Sequence, residues 1–472
     1  MPMVKSTASS TTSTTASKHI SNKINSDSNR QGNRILIGYD CFFTNLSRIH
    51  LPTHYPTTST MNHKIATLIL AASACLSAFP QAKIVNEAEK LIGIDGKTAQ
   101  ARQLISQAMQ DSTTKDDART WVVAANIEIE YFETEYHKLT INPADSRVDK
   151  TAMSQAIIDA YRYYSTALPL DTIITHKGKI KTKYSKEIQK RLKQIYLNRH
   201  FLWAASVFTQ CDKRYPEAYN AFSTQGDIPG LHLYHNDKNL SSIADSIRGN
   251  AYYNAAVSAW SGQQHLIAAQ TFHKARRHGY ITKDLFAYEI ACYQAVIQSD
   301  TLNIESAENA MFLTAKDGYD TYGCQEPLFL HLYIKGLTER QQFSQAITIL
   351  DKEIALDPDN DSLYRHRAFV YDYAGDDDAS VADYIKAGTL STDFQTLIEA
   401  GKKIAMVGSM KINDINKTDN SDSAKAKKQQ IVEMYFNQAL AFANKAKAIN
   451  PDNTNVDLLI ENITYDITSN SY

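Results

Sequence analysis

Between Glu326 and Ala387 the chain repeats itself at a fixed period, and no other feature constrains the fold as tightly. Leu330, Ala346 and Leu350 recur 34 residues later as Tyr364, Ser380 and Tyr384. The first copy reads Leu330-x2-Tyr333-Ile334-x2-Leu337, then Phe343-x2-Ala346-x3-Leu350, and closes on Pro358. The second reads Tyr364-x2-Arg367-Ala368-x2-Tyr371, then Gly375, then Ser380-x3-Tyr384-x2-Ala387. Spacings of three and four place each half on one stripe of a helix, and the small residue in the second half lets two antiparallel helices approach closely. One such pair cannot bury its own apolar stripe, so copies must stack and share a core.

The same pattern, with its step of 16 residues between halves, extends upstream. Val85-x2-Ala88 with Ala101 and Ala108 forms a first pair. Trp121-x2-Ala124-Ala125 opens a second, whose return in Ala160-x3-Tyr164-x2-Ala167 is delayed by an insertion around His137 to Thr151. The Asn142-Pro143 dipeptide inside it is a turn signal. Leu202-x2-Ala205 with Ala218-x3-Phe222 makes a third pair, with Pro216 in a first turn, where a missing N–H costs nothing. Tyr252-x2-Ala255-Ala256 with Ala268-x3-Phe272-x2-Ala275 makes a fourth, and a degenerate fifth joins Tyr288-x2-Ala291-Cys292 to Ala307–Ala315. The two copies described first are the sixth and seventh. An eighth is split between Leu397-x2-Ala400-Gly401 and Phe436-x2-Ala439 to Ala446, and the polar stretch 413–426 between them is expected to be a mobile loop. Residues 169–186 read as a connector in which Lys177, Lys179, Lys181 and Lys183 alternate, residues 226–238 as a long turn, and the tail from Thr454 as a capping helix.

Across about residues 83–452 this arrangement resembles the tetratricopeptide repeat (TPR). The resemblance implies an all-α fold, a right-handed superhelical solenoid of about eight helix-turn-helix pairs with two inserted loops. N-terminal repeats would occupy residues 83–225 and C-terminal repeats 226–472. Arg367 stands where the pattern wants an apolar residue, and Ser380 where it wants Ala. The insertions and the basic connector also resemble envelope-associated TPR proteins of Gram-negative bacteria. In TPR proteins the first helix of each pair lines a concave groove. By that resemblance Trp203, Tyr253, Trp260, His331, Lys335, Arg365, Phe369 and Tyr373 face a protein or peptide partner, and aromatics with Arg dominate such recognition.

The rest of the chain sets the context. Residues 1–60 read as a disordered or mis-assigned N-terminal extension, since the Ser/Thr/Ala run at 6–17 cannot bury enough apolar surface to offset ordering entropy. Residues 61–82, with Lys64 ahead of an apolar run from Ile65 to Ala78, read as a signal peptide. Either Met61 is the true start or the run is internal, and it is shorter than the roughly 20 residues that span a bilayer. Ala72-Ser73-Ala74-Cys75 is similar to a weak lipobox, which would tether the chain through Cys75; the plainer reading is a Cys inside the apolar run. The expected setting is therefore exported, periplasmic or outer-membrane-associated, with membrane contact only through such an anchor.

Residues 83–472 hold 43 Lys and Arg against 49 Asp and Glu, a net of −6, which gives no electrostatic reason to expect nucleic acid. Scarce Gly (17) and Pro (11) favour helices. No P-loop, GxSxG, HExxH or dinucleotide fingerprint occurs, so no enzyme activity and no cofactor are expected. Asp357-Pro-Asp359-Asn-Asp361 starts like a calcium loop but has Ser362 and Ala368 where that loop needs Gly and Glu. His232, His235 and Asp237 could offer three ligands but lie in a turn with no fourth donor, and no metal is expected there. The 27 Tyr read mainly as helix-packing residues that keep their hydroxyls wet. A non-enzymatic scaffold binding a peptide or protein is the leading expectation; the alternative is a glycan-binding outer-surface lipoprotein on the same helical frame.

Overall fold

Asp117, Asp149, Thr282, Asp376 and Asn453 each turn a side-chain oxygen onto free backbone N–H groups of the helix that follows, and these caps mark where elements begin. The computed structural model describes residues 81–472, except 175–179, 212, 419–420 and 472. The expectations for residues 1–60, for the apolar run and for lipidation at Cys75 lie outside the described residues, as do Lys177 and Lys179.

The chain is an all-α stack of helix-turn-helix pairs. Among the described residues the helices of eight residues or more are α1 (Gln81–Lys90), α2 (Thr98–Gln110), α3 (Ala118–Ile141), α4 (Lys150–Leu170), α5 (Ser185–Leu197), α6 (His200–Gln210), α7 (Tyr215–Asp227), α8 (Asp245–Ser261), α9 (His265–Arg277) and α10 (Lys283–Ser299). They continue as α11 (Ile304–Tyr322), α12 (Pro327–Glu339), α13 (Phe343–Leu356), α14 (Asp361–Ala374), α15 (Asp377–Leu390), α16 (Phe394–Thr418), α17 (Asp422–Ile431), α18 (Asn437–Ile449) and α19 (Thr454–Asn470). Two two-residue strands, β1 (Ile173–Ile174) and β2 (Ile180–Lys181), pair antiparallel within the connector.

Neighbours in sequence are neighbours in space, and the expected pairs form: α1 with α2, α3 with α4, α6 with α7, α8 with α9, α10 with α11, α12 with α13, α14 with α15, and α16 with α18. The alanines that set the sequence spacing sit where helices cross. Ala88, Ala125, Ala160, Ala205, Ala268 and Ala346 are all fully buried. Gly249 on α8 shows how near the approach is, since a Cβ there would come 2.8 Å from the His278 carbonyl and 2.9 Å from that of Ala275. Successive apolar clusters line the stack, one around Ile84 and Ile105, one around Phe132 and Phe208, one around Leu330 and Val370, and one around Phe436.

Several boundaries differ from the sequence reading. Helix occupies residues 413–418 and 422–426 where a loop was expected: α16 runs through Thr418 and α17 starts at Asp422. A short π-helix at Val432–Phe436 joins α17 to α18. The insertion near 137–151 begins as extra turns of α3, which continues to Ile141. α5 belongs to no expected pair, yet it buries Ile188, Leu192, Ile195 and Tyr196. The long turn at 226–238 is built in: Tyr234 is fully buried and its hydroxyl donates to the Gln189 carbonyl at 2.9 Å. At the connector's end Asp171 is buried and accepts the N–H groups of Lys183, Tyr184 and Ser185 at 2.7–2.8 Å, which ties it to the start of α5. The tail forms α19, docked through Val456 and Ile463. Among the described residues no helix is long and apolar enough to cross a membrane.

Candidate functional site

Two departures from the repeat pattern become intelligible in three dimensions. Arg367 pairs with Asp383 of its own repeat at 2.7 Å and with Asp351 of the preceding one at 2.5 Å, so its charge is neutralised within the stack. Ser380, fully buried, donates to Asp372. Neither is free to meet a partner.

The first helices of the sixth and seventh pairs, α12 and α14, carry five of the eight expected groove residues, and Arg365 extends the set to α16, the first helix of the eighth. His331 on α12 lies 3.0 Å from His366 of α14, nitrogen to nitrogen. Arg365 on α14 reaches Glu399 of α16 at 3.3 Å, and Gln395 donates to the same carboxylate at 2.8 Å. The buried Nε of Arg365 has no partner. Lys335 is exposed and meets only Glu339 of its own helix, at 3.6 Å. Phe369 and Tyr373 sit ring to ring at 4.8 Å, and Tyr373 is 61% exposed. Met406 and Met410 of α16 are also exposed.

The electrostatics of this face follow from burial and from its cations. Burial lowers the His331 imidazole below its ordinary value, and Arg365 and Lys335 push the same way. Burial, then His331 and Arg365, bring His366 down to about 4. Both rings are therefore neutral near pH 7 and share one hydrogen bond, with Arg365 and Lys335 as the cations beside them. His366, Gln395 and Glu399 were not singled out in the sequence. Glu399 could have been, because it follows Arg365 by 34 residues, the repeat period itself.

Trp203, Tyr253 and Trp260 lie elsewhere, among aromatic neighbours. Trp203 on α6 presents its ring to Phe132 at 5.8 Å and Tyr136 at 6.0 Å, near perpendicular to both. On α8, Tyr253 packs on Tyr280 at 4.7 Å and Trp260 on Tyr288 at 6.0 Å. Each is half-buried.

A cleft of about 450 Å³ lies between the end of α3 and the junction of α5 with α6, lined by Glu133, Tyr136, His137, Thr140, Gln194, Asn198 and His200. Arg199, just ahead of α6, adopts a left-handed conformation (φ 58°) and turns the chain there. Burial lifts the Glu133 carboxyl above its usual range, with Arg191 opposing from 3.8 Å. Burial also holds His200 at about 4; it is 7% exposed and its Nδ1 has no protein partner. In the unfolded chain this imidazole titrates near 6.5, so below that pH the unfolded state binds a proton that the native state does not. Stability is therefore expected to be level above pH 6.5 and to fall by roughly 3 kcal/mol for this group as pH drops towards 4. Denaturation midpoints across that range check it, with a shallower slope expected in His200→Asn.

The remaining motifs have structural occupations. Asp237 caps the turn at Asn239 and Leu240 and pairs with Lys193 at 2.6 Å, so it is committed away from His232 and His235. Among the described residues no group of three or more His, Cys, Asp or Glu is placed to hold a metal ion. Asp357 accepts from Asn360 at 3.0 Å in the turn before α14. Burial, then the Glu353 carboxylate, raises the Cys324 thiol to about 12, well away from the reactive thiolate range.

No family model matches the chain, and no curated protein matches it. Among solved structures it is similar to YrrB, described as a TPR protein with an unusual peptide-binding site, at 14% identity and a TM-score of 0.28, over 47% of this chain and 98% of that one. It is similar to the APC/C hetero-tetramer Cut9–Hcn1 at 12% identity and a TM-score of 0.26, over 84% of this chain and 92% of that one. The TPR2AB domain of yeast Sti1, in a complex with pHSP90, is similar at 11% identity and a TM-score of 0.20, over 59% and 98%.

Proposed function

We propose that the protein is a non-enzymatic scaffold of the cell envelope that holds an extended peptide or partner protein along the face made by α12, α14 and α16. The observation that carries this reading is the continuous set His331–His366 and Arg365–Glu399 across three first helices, flanked by Lys335 and the exposed Tyr373. A stack of helices with matched first elements offers a long surface on a rigid frame. Charge, a half-shielded guanidinium and an exposed aromatic ring are the groups that supply most of the energy of such contacts. The envelope setting rests on the apolar run after Met61 and its basic head.

The test is charge reversal. Lys335→Glu with Arg365→Glu is expected to weaken partner capture from envelope fractions by about 2 kcal/mol or more, roughly thirtyfold. The melting temperature should change little, because Lys335 is exposed and the Arg365–Glu399 pair is only partly shielded. Undiminished capture would move the binding face elsewhere on the stack.

A further inference from the structure

The cleft beside α3 owes its walls to the two places where the chain leaves the repeat. α13, α14 and α15 are each 14 residues long, whereas α3 has 24, and its added turns carry Tyr136, His137 and Thr140. α5, which belongs to no pair, supplies Gln194 and its C-terminal neighbour Asn198. These two amides are four residues apart at a helix end, so they share one side of it. His200, the first residue of α6, completes the lining with a buried ring whose Nδ1 has no protein partner.

The lining also says what would suit it. All seven residues bear a hydrogen-bonding group, so an apolar occupant would leave many of them unmet. The one carboxylate, Glu133, opposes an anion, while Arg191 at 3.8 Å already competes for it against a cation. Tyr136 adds an aromatic ring held in place by Phe132, stacked at 5.5 Å, and by the Trp203 ring at 6.0 Å. The volume falls within the roughly 300–1,000 Å³ usual for small-molecule sites.

We infer that this cleft binds a neutral polyhydroxylated ring, a pyranose unit, with Gln194 and Asn198 bonding adjacent hydroxyls and Tyr136 lying against the ring's C–H face. Neutral amides both donate and accept, as vicinal hydroxyls do, and an aromatic ring covers the less polar side of the sugar. The site is separate from the α12–α14–α16 face and does not depend on it.

The experiment is calorimetric titration of the full chain, with saturation-transfer NMR, against D-glucose, N-acetyl-D-glucosamine, cellobiose and chitobiose, with glucosamine and glucuronate as charged controls. Binding of at least one is expected, with affinity falling about tenfold or more in Gln194→Ala/Asn198→Ala. Both positions are exposed, so the melting temperature of this variant should match the parent. A disaccharide that binds tighter than its monosaccharide supports a glycan chain as the source, and equal binding supports a free sugar. Arg365→Glu is expected to leave the titration unchanged, so failure here and failure of partner capture are distinct results. Three outcomes overturn the inference: no transfer to any of the four sugars, binding unaffected by the double variant, or tighter binding of glucosamine or glucuronate than of glucose.

Discussion

Replacing Glu289 with alanine is expected to cost about 3–5 kcal/mol of stability, because it strips the partner from a buried cation. Glu289 on α10 is fully buried. Its carboxylate accepts the Thr314 hydroxyl from α11 at 2.8 Å and faces Arg276 Nε and His273 of α9, each at 3.3 Å. Arg276 is itself only 11% exposed and continues to Asp317 at 2.6 Å, so one charge network joins three consecutive helices. Without Glu289, Arg276 keeps a single carboxylate, and desolvation of the guanidinium is no longer offset. Glu289→Gln should be milder, since the amide oxygen still accepts from Thr314. Urea denaturation measures the loss, and hydrogen exchange should locate it in α9–α11, because each repeat is held by its neighbours alone. A loss below about 1 kcal/mol in the alanine variant would mean that the network contributes nothing net.

Phe132→Ala should be comparably severe, about 3–5 kcal/mol. The ring is fully buried on α3, stacks on Tyr136, and contacts His200 at 4.6 Å and Trp203 at 5.8 Å. Truncation removes its transfer free energy and leaves a void among side chains already wedged against one another. Phe132→Leu should recover more than half of the loss. If the alanine variant melts within a degree or two of the parent, the site has collapsed around the void and the aromatic cluster is not a rigid unit. The same substitution loosens the support of Tyr136, which makes it unsuitable for dissecting the cleft.

Much of the stack was legible because the repeat is a packing requirement written at fixed intervals. Positions such as Ala268, Ala346 and Leu350 are small or apolar for the same reason in each copy, and all three are fully buried. The elements that escaped notice carry a single sparse stripe. α5 shows Ile188, Leu192 and Ile195 at helical spacing, but the alternating lysines upstream pointed to an extended connector. α17 buries only Ala424 and Ile431, so its polar composition looked like loop. A helix packed along one narrow edge need not be apolar elsewhere.

The candidate sites were legible in proportion to how local their geometry is. Arg365 and Glu399 are one period apart, so the repeat alone predicts that they meet on parallel first helices. The His331–His366 contact depends on helix phase and side-chain rotamer, which spacing does not specify. Trp203, Tyr253 and Trp260 were assigned by position in the repeat, but rings from other segments pack against them. The cleft was invisible for a different reason. Its residues come from an extended α3, an unpaired α5 and the start of α6, and their proximity appears only once the intervening α4 and connector are folded.

The last hairpin has a consequence for the whole array. α16 is 25 residues long, about 37 Å, against about 21 Å for the 14-residue helices before it. Its return limb runs unbroken through α17, the π-turn and α18. Ile404 and Ile412 meet Ile431, Val432 and Phe436 in an interior that this hairpin shares with α19. α16 to α19 therefore form a clasp whose apolar seam continues into α14 and α15, so this module resists peeling from the repeat before it. Copied into the middle of the stack, it would project beyond every flanking helix with its far end unsupported.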